Sequence, residues 1–412
     1  SWSLSYSLAS LFGKLPKAVG AIEDPKTYLQ PYDNFLKSNI GVVNIRDFCI
    51  KGICLNLLSP SLFFYLCFVF VFFLNLYILV KGISSGIEKF CRVAMPLLFI
   101  MGIFLVIRVF TIKSPHGISL ETALGFIWNP KLEELKYAKV WISAAGQIFF
   151  SLSIGIGIIM TYASYIKRDD DIALSGLTTA SLNEFAEVIL GGSIAIPAAV
   201  LFFGISGAEE IAKSGAFRLG FVSTPAVIES LPFNNIVSAV WFFLIFLAGV
   251  TSSIALAQPF VSFLEDEFGL SRKKSVFIRG AVWFVVLHIP IFVSGALDEM
   301  DFWAGTIGLV VFALVEVYVF AWVFGVDKAW REIRLGAKIN VPKIFVYIAK
   351  YVSPIYLILI LSMWIYESIK GGVIGKSDAN TIIVRAVLVA IFLSFIVASY
   401  IAWKNKKINN NT

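Results

Sequence analysis

Val140 to Ile166 reads VWISAAGQIFFSLSIGIGIIMTYASYI, an uncharged stretch interrupted at its centre by the run Ser151 to Gly157. A hydrocarbon-spanning helix needs about 20 apolar residues, and this stretch is long enough. Small hydroxyl and glycine residues at its middle let the backbone unwind and expose carbonyls along a path for ions. A second reading makes Ser151/Gly155 and Ser153/Gly157 small-xxx-small pairs that allow two helices to pack closely. The stretch alone leaves both open.

Working outward, hydrophobic residues make up 58% of the chain and charged ones 15%, with 38 Phe, which is the balance of an integral membrane protein. Nine apolar runs can be marked, at about 59–80, 93–112, 140–166, 172–206, 233–264, 280–297, 302–326, 344–366 and 386–403. They lack strand-like alternation, so a transmembrane barrel is disfavoured, and the loops between them are too short to bury a soluble domain. The expected fold class is an all-α polytopic membrane protein.

The net charge of +7 does not point to nucleic acid, because the basic residues sit at helix ends without an aromatic-basic groove. It reads instead as topology. Alternate gaps and the tail hold Lys81, Lys89 and Arg92; Lys167 and Arg168; Arg272, Lys273, Lys274 and Arg279; Lys328, Arg331, Arg334, Lys338 and Lys343; and Lys404, Lys406 and Lys407. The intervening gaps hold about half as many. The positive-inside rule then gives a multi-pass cell-membrane protein with a cytoplasmic C-terminus. Six further basic residues between Lys14 and Lys51 run against this count, in a long loop.

Cys67 and Cys91 lie in or beside apolar runs as packed thiols. Cys49 and Cys54 sit in the long loop before Pro60, where a local disulfide and a reduced pair are both open and no spacing supports zinc. His116 and His288 are on different segments, and there is no phosphate-binding loop and no ligand cluster for a transition metal. No catalytic residue and no cofactor are therefore expected; an enzyme and an ATP-driven pump are disfavoured. Ser1 to Leu15 reads as the end of an apolar helix rather than a signal peptide, since a basic start and a small-residue cleavage pattern are missing.

Five ordered stretches carry a family likeness: GQIFFSLSIGIG (Gly146–Gly157), TYASYIKRDDDIALSGLTTASLNEFAEVILGGSIAIPAA (Thr161–Ala199), AGVTSSIALAQP (Ala248–Pro259), FLEDEFGLSRK (Phe263–Lys273) and LDEMDFWAGTIG (Leu297–Gly308). They resemble the neurotransmitter:sodium symporter family, especially its prokaryotic leucine-transporter branch, over nearly the whole chain. The resemblance implies an inverted-repeat fold with broken helices around a midplane site. It treats residues 1–412 as one transporter domain: 1–15 the end of the family's third helix, 16–58 an extracellular loop, and 59–112 the fourth and fifth helices. Residues 140–326 would form the second inverted repeat, the sixth to tenth helices, and 344–403 the eleventh and twelfth. The chain would thus hold about nine full helices and the end of a tenth. The first two helices and the start of the third are expected to be absent, and the 412 residues alone are expected not to transport.

The family likeness also implies roles. Ser151 and Asn183 resemble half of a first sodium site, Asn183 offering a hard carbonyl ligand, while Ala248, Thr251 and Ser252 resemble half of a second. For Thr251 and Ser252 the residues alone equally suit back-bonding to carbonyls one turn earlier. Glu187 stands where chloride-independent relatives carry a carboxylate that replaces the anion. Substrate would meet Phe150 and Ile156 as walls, the backbone around Ser151 and Ser153, and Ser252 and Leu256. Ile156 replaces an aromatic residue common in the branch, which leaves side-chain selectivity open.

Asp301 resembles the extracellular gate carboxylate with Gln147 as neighbour, and Asp266 the cytoplasmic one with Tyr165. Asp298 and Glu299 read as solvated loop carboxylates, Glu316 as an interior-paired one, Lys350 as snorkelling and His288 as a hydrogen-bonded helix residue. The implied function is sodium-coupled symport of an amino acid or related small amine by alternating access. Its partners would be that substrate, sodium ions and the lipid bilayer, with a homodimer left open. The alternative is a truncated, non-transporting membrane protein that serves as a binding or scaffold partner, or a fragment without function.

Overall fold

The computed structural model describes residues 1–42, 46–50, 53–213, 215–370 and 378–409. Helices α1 (Trp2–Leu11) and α2 (Pro25–Ile40) precede a hairpin of β1 (Arg46–Ile50) and β2 (Ile53–Leu57), followed by α3 (Leu62–Val80), α4 (Lys89–Phe110) and α5 (Leu120–Trp128). Next come α6 (Ala138–Ser151), α7 (Ile158–Ala163), α8 (Ile172–Glu184), α9 (Ala195–Lys213), the short apolar α10 (Leu219–Ile228), and α11 (Asn234–Phe268). The remainder is α12 (Arg272–Phe292), α13 (Ala296–Met300), α14 (Leu309–Tyr318), α15 (Val326–Arg334), α16 (Ile344–Tyr347), α17 (Ser353–Lys370) and α18 (Ala379–Asn409). π-Helical turns at Phe185–Gly191, Asp301–Gly308, Val319–Gly325 and Ile348–Val352 join or extend several of these.

Among the described residues, 8 helical stretches are long and apolar enough to cross a membrane. They correspond to eight of the nine expected runs. The ninth, 140–166, is the broken one: α6 stops at Ser151 and α7 starts at Ile158. Ser153 (φ 57°), Gly155 (78°) and Gly157 (73°) lie in the left-handed region between them, so the unwound reading of this stretch holds. Another stretch, Ile172–Lys213, is 42 residues of near-continuous helix. At helical rise that is about 63 Å, twice the hydrocarbon thickness. The chain interrupts it with a turn at Gly192–Ile194 and a kink at Gly204 (φ 78°, ψ 172°).

The loop expected over 16–58 contains α2 and the hairpin, and composition missed α2 because its charged residues mask an amphipathic pattern. Asp24 caps α2, accepting from Lys26 N at 3.2 Å and Thr27 N at 3.5 Å, Pro25 fills the first turn where no N–H is needed, and Gly41 (φ 85°) ends it. The side chains of Cys49 and Cys54 lie outside the described residues; Cys67 is a buried free thiol and Cys91 a half-buried one, as expected.

Contacts divide the chain into two compact units. The first comprises Ser1–Asp47, Leu57–Lys131 and Glu184–Ile254. Its core joins Tyr6 of α1, Leu29, Tyr32 and Leu36 of α2, Leu105 and Val109 of α4, Val200–Phe203 of α9 and Phe242 of α11. Glu229 ties α2 down, accepting from Tyr32 Oη at 2.9 Å and Ala18 N at 2.8 Å, and Lys26 pairs with Glu210 of α9 at 3.0 Å. The second unit comprises Phe48–Asn56, Leu132–Asn183 and Ala255–Thr412. There Leu309, Val310, Ala313 and Leu357 form a small core against which Phe149, Ile154 and Ile156 pack. In both units large apolar side chains face outward, Phe73 and Ile107 in the first and Phe392 and Val397 in the second, as lipid-facing surfaces require.

Candidate functional site

The break between α6 and α7 is held from the side of α14. Gly155 N–H donates to Glu316 Oε2 at 3.1 Å, so the expected interior pairing of Glu316 is with the unwound backbone itself. A side chain on Gly155 would meet the Leu309 carbonyl and the Ala313 backbone, so only glycine allows the broken strand to lie this close to α14. At the near edge of the break Asn183 Nδ2 of α8 donates to Ser151 Oγ at 3.1 Å, which brings the two expected ligands of the first sodium site together. With the nitrogen turned to Ser151, the amide oxygen is the end chemically suited to a hard cation. Phe150 is exposed beside the break, and Ile156 is half-buried against the Leu309 core.

Glu187 is half-buried in the π-helical turn Phe185–Gly191 of the first unit; such turns recur at functional sites. In the same unit Thr251 Oγ1 donates to the Ala248 carbonyl at 2.9 Å and lies 3.2 Å from that of Leu247. The back-bonding reading of Thr251 is therefore realised. It is compatible with a cation, because a hydroxyl that gives its proton to a carbonyl keeps its lone pairs for a ligand role. Ser252 and, in the second unit, Leu256 are exposed.

Tyr165 Oη is hydrogen-bonded to Ser262 Oγ at 2.9 Å and accepts from Gln258 Nε2 at 3.3 Å, while Asp266 is exposed. Gln258 was missed by sequence reasoning and is the hub: fully buried, it also donates to Ser262 Oγ at 3.0 Å and accepts from Arg272 Nη2 at 2.7 Å. Arg272 reaches Glu265 as well, at 3.3 Å. The available signal was a Gln and a Ser four residues apart inside an apolar run, one helical face. Asp301 and Gln147 are both exposed.

One expectation is overturned. Glu299 is not a solvated loop carboxylate; it is 6% exposed, pairs with Arg385 Nε of α18 at 2.5 Å and accepts from Trp303 Nε1 at 2.8 Å. Burying a carboxylate is costly unless it is paired and hydrogen-bonded, as it is here. The reading of His288 holds: its Nδ1 is hydrogen-bonded to the Phe284 carbonyl one turn back, at 2.5 Å; the Lys350 ammonium rests 4.9 Å from the centre of the Trp322 ring. In the loops Asp171 caps α8 by accepting from Leu174 N and joins it to a second loop by accepting from Lys338 N, both at 2.8 Å. The Leu174 N–H first, then that of Lys338, holds its carboxyl below the usual range. No group of three or more His, Cys, Asp or Glu side chains that could hold a metal is found among the described residues.

Comparison with known proteins follows the same lines. The chain is 29% identical over 403 residues to an uncharacterized sodium-dependent transporter of Methanocaldococcus jannaschii, covering 97% of this chain and 76% of that protein. It is 27% identical over 312 residues to the sodium- and chloride-dependent glycine transporter 2 of Xenopus laevis, covering 73% of this chain and 38% of that protein. Its fold matches the crystal structure of MhsT in complex with L-phenylalanine, with a TM-score of 0.68 at 22% identity over 87% of this chain and 75% of that one. The model of the sodium:neurotransmitter symporter family matches residues 56–402, most of the chain, and the chain belongs to that family.

Proposed function

We propose that this protein is a sodium-coupled symporter of an amino acid or a related small amine, working by alternating access with its C-terminus in the cytoplasm. The family is one of transporters, not enzymes. The observation that carries the reading is the helix broken at 152–157 with Asn183 Nδ2 hydrogen-bonded to Ser151 Oγ at its edge, which brings two oxygen-bearing side chains together there. Ser151 and Asn183 contribute to one sodium site, Ala248, Thr251 and Ser252 to another, and sodium is the coupling ion. Phe150, Ser151, Ser153, Ile156, Ser252 and Leu256 contact the substrate. The glycine and L-phenylalanine in the names of the relatives make small and aromatic amino acids the first substrates to try. Gln147 and Asp301 serve the outer gate, and Tyr165 and Asp266 the inner one.

The test is uptake into vesicles by the full-length protein that carries these residues. Uptake of an amino acid is expected to follow an inward sodium gradient and to stop when potassium replaces sodium. Asn183→Ala, and Thr251→Val with Ser252→Ala, should each raise the sodium concentration for half-maximal uptake about tenfold. That corresponds to ~1.4 kcal/mol, the scale of one hydrogen-bond-like contact to a charge. Well-expressed variants with unchanged sodium dependence would remove these ligands from the mechanism.

A further inference from the structure

The second unit holds a buried polar node that nothing above assigns to transport. Glu299 stands on the last turn of α13, immediately before the π turn Asp301–Gly308. One carboxylate oxygen, Oε1, takes both the Arg385 Nε of α18 and the Trp303 indole N–H of the π turn, and the Arg385 guanidinium lies 5.6 Å from the centre of the Trp303 ring. A single acceptor therefore ties the α turn, the π turn and the last long helix together.

The base of α18 is fixed independently. Asp378 caps it, accepting from Thr381 N at 3.1 Å. Asn380 donates to the carbonyls of Asn56 at 3.2 Å and Ser294 at 3.0 Å, and its oxygen accepts from Asn56 N at 3.1 Å. Arg385 thus projects from an anchored helix end onto the π turn, whose Phe302 ring lies 5.1 Å from that of Trp364 in α17, while Asp301 itself is exposed.

We infer that Arg385 is a positioning residue for the outer gate: through Glu299 and Trp303 it sets the rotation of the π turn and so the place of the Asp301 carboxylate. A π turn has one more residue per hydrogen-bonded ring than an α turn, so losing its outside tether lets it reset toward α geometry and carry Asp301 around the axis. This inference rests on the proposed role of Asp301, and its test separates the two.

In a variant with all four cysteines replaced, Asp301→Cys is reacted with a charged thiol reagent in the Arg385 and Arg385→Gln backgrounds. The rate is expected to change at least about fivefold, the lower end of coupling between linked sites. Equal rates would overturn the inference whether or not the protein transports. With the native cysteines and a mixture of radiolabelled amino acids as probe, R385Q should raise KM for the component taken up by a similar factor. It should add less than about twofold once Asp301→Asn is present, because residues acting through one group are non-additive. Additive losses would mark Arg385 as merely structural. Sodium-independent uptake by the unmodified protein would defeat the symport reading and leave the thiol result standing. Should R385Q not reach the membrane, Glu299→Gln and Arg385→Lys carry the same comparison, with the lysine variant nearer to the parent.

Discussion

Gly155→Val is expected to abolish uptake and to lower the yield of folded protein sharply. Gly155 has φ 78°, where a β-branched side chain is a genuine outlier. Its Cβ would also press on the Leu309 carbonyl and come 2.9 Å from Ala313 N. Both are backbone atoms of a packed helix, so no side chain can swing aside. The broken strand would have to leave α14, taking the Gly155–Glu316 hydrogen bond with it and leaving a half-buried carboxylate short of a donor. Conformational strain, clash and lost bond together amount to several kcal/mol, against about 5–15 kcal/mol for a whole domain. Gly157→Ala is the control. It shares a positive φ of 73°, but its nearest new neighbour is Pro259 Cβ at 4.0 Å, so about 1 kcal/mol of backbone cost is all it should show. Thermal stability in detergent and uptake per folded molecule compare them. Equal behaviour of the two variants would mean that contact with α14 does not set the break.

Replacing Glu187 by Ser should convert uptake to chloride dependence, with at least about tenfold more uptake in chloride than in gluconate while the parent shows no preference. A carboxylate fixed in a low-dielectric segment can balance nearby sodium without a mobile anion, and two unit charges 4 Å apart interact by about 4 kcal/mol even at an effective dielectric of 20. Serine removes the charge and leaves a small hydroxyl that can donate to an anion in its place. A relative at 27% identity is named for its dependence on both sodium and chloride. An active Glu187→Ser variant indifferent to the anion would count against the role of this carboxylate.

The apolar runs and the break at Ser151–Gly157 were legible because both depend on local chemistry: length without charge, and small residues where a span should be continuous. The long-range results were not. Glu299 and Arg385 are 86 residues apart, and nothing in LDEMDFWAGTIG distinguishes a carboxylate that reaches water from one turned into the protein. Gln258 had the same difficulty, since its partners are Tyr165, in the turn after α7, and Arg272, at the start of α12. Asn183 was placed beside Ser151 by family likeness rather than by spacing. For α2, capping by Asp24 and Pro25 was present in the sequence but outweighed by polar composition.

The last helix has a further property. Between Arg385 and Lys404 the uncharged run from Ala386 to Trp403 is about 27 Å long at helical rise, slightly less than the ~30 Å of a typical hydrocarbon layer. Most of its large side chains, Val389, Phe392, Leu393, Ile396 and Tyr400 among them, are at least half exposed, so lipid is their main neighbour. A basic residue near such an end would ordinarily swing outward and lengthen the permissible span. Arg385 is committed inward to Glu299 and cannot, which leaves Lys404 and its neighbours as the adjustable end. Any slack for a thicker bilayer must therefore come from the uncharged Ala379–Val384 on the far side of Arg385, which can enter the hydrocarbon only because that guanidinium is already paired inside the protein.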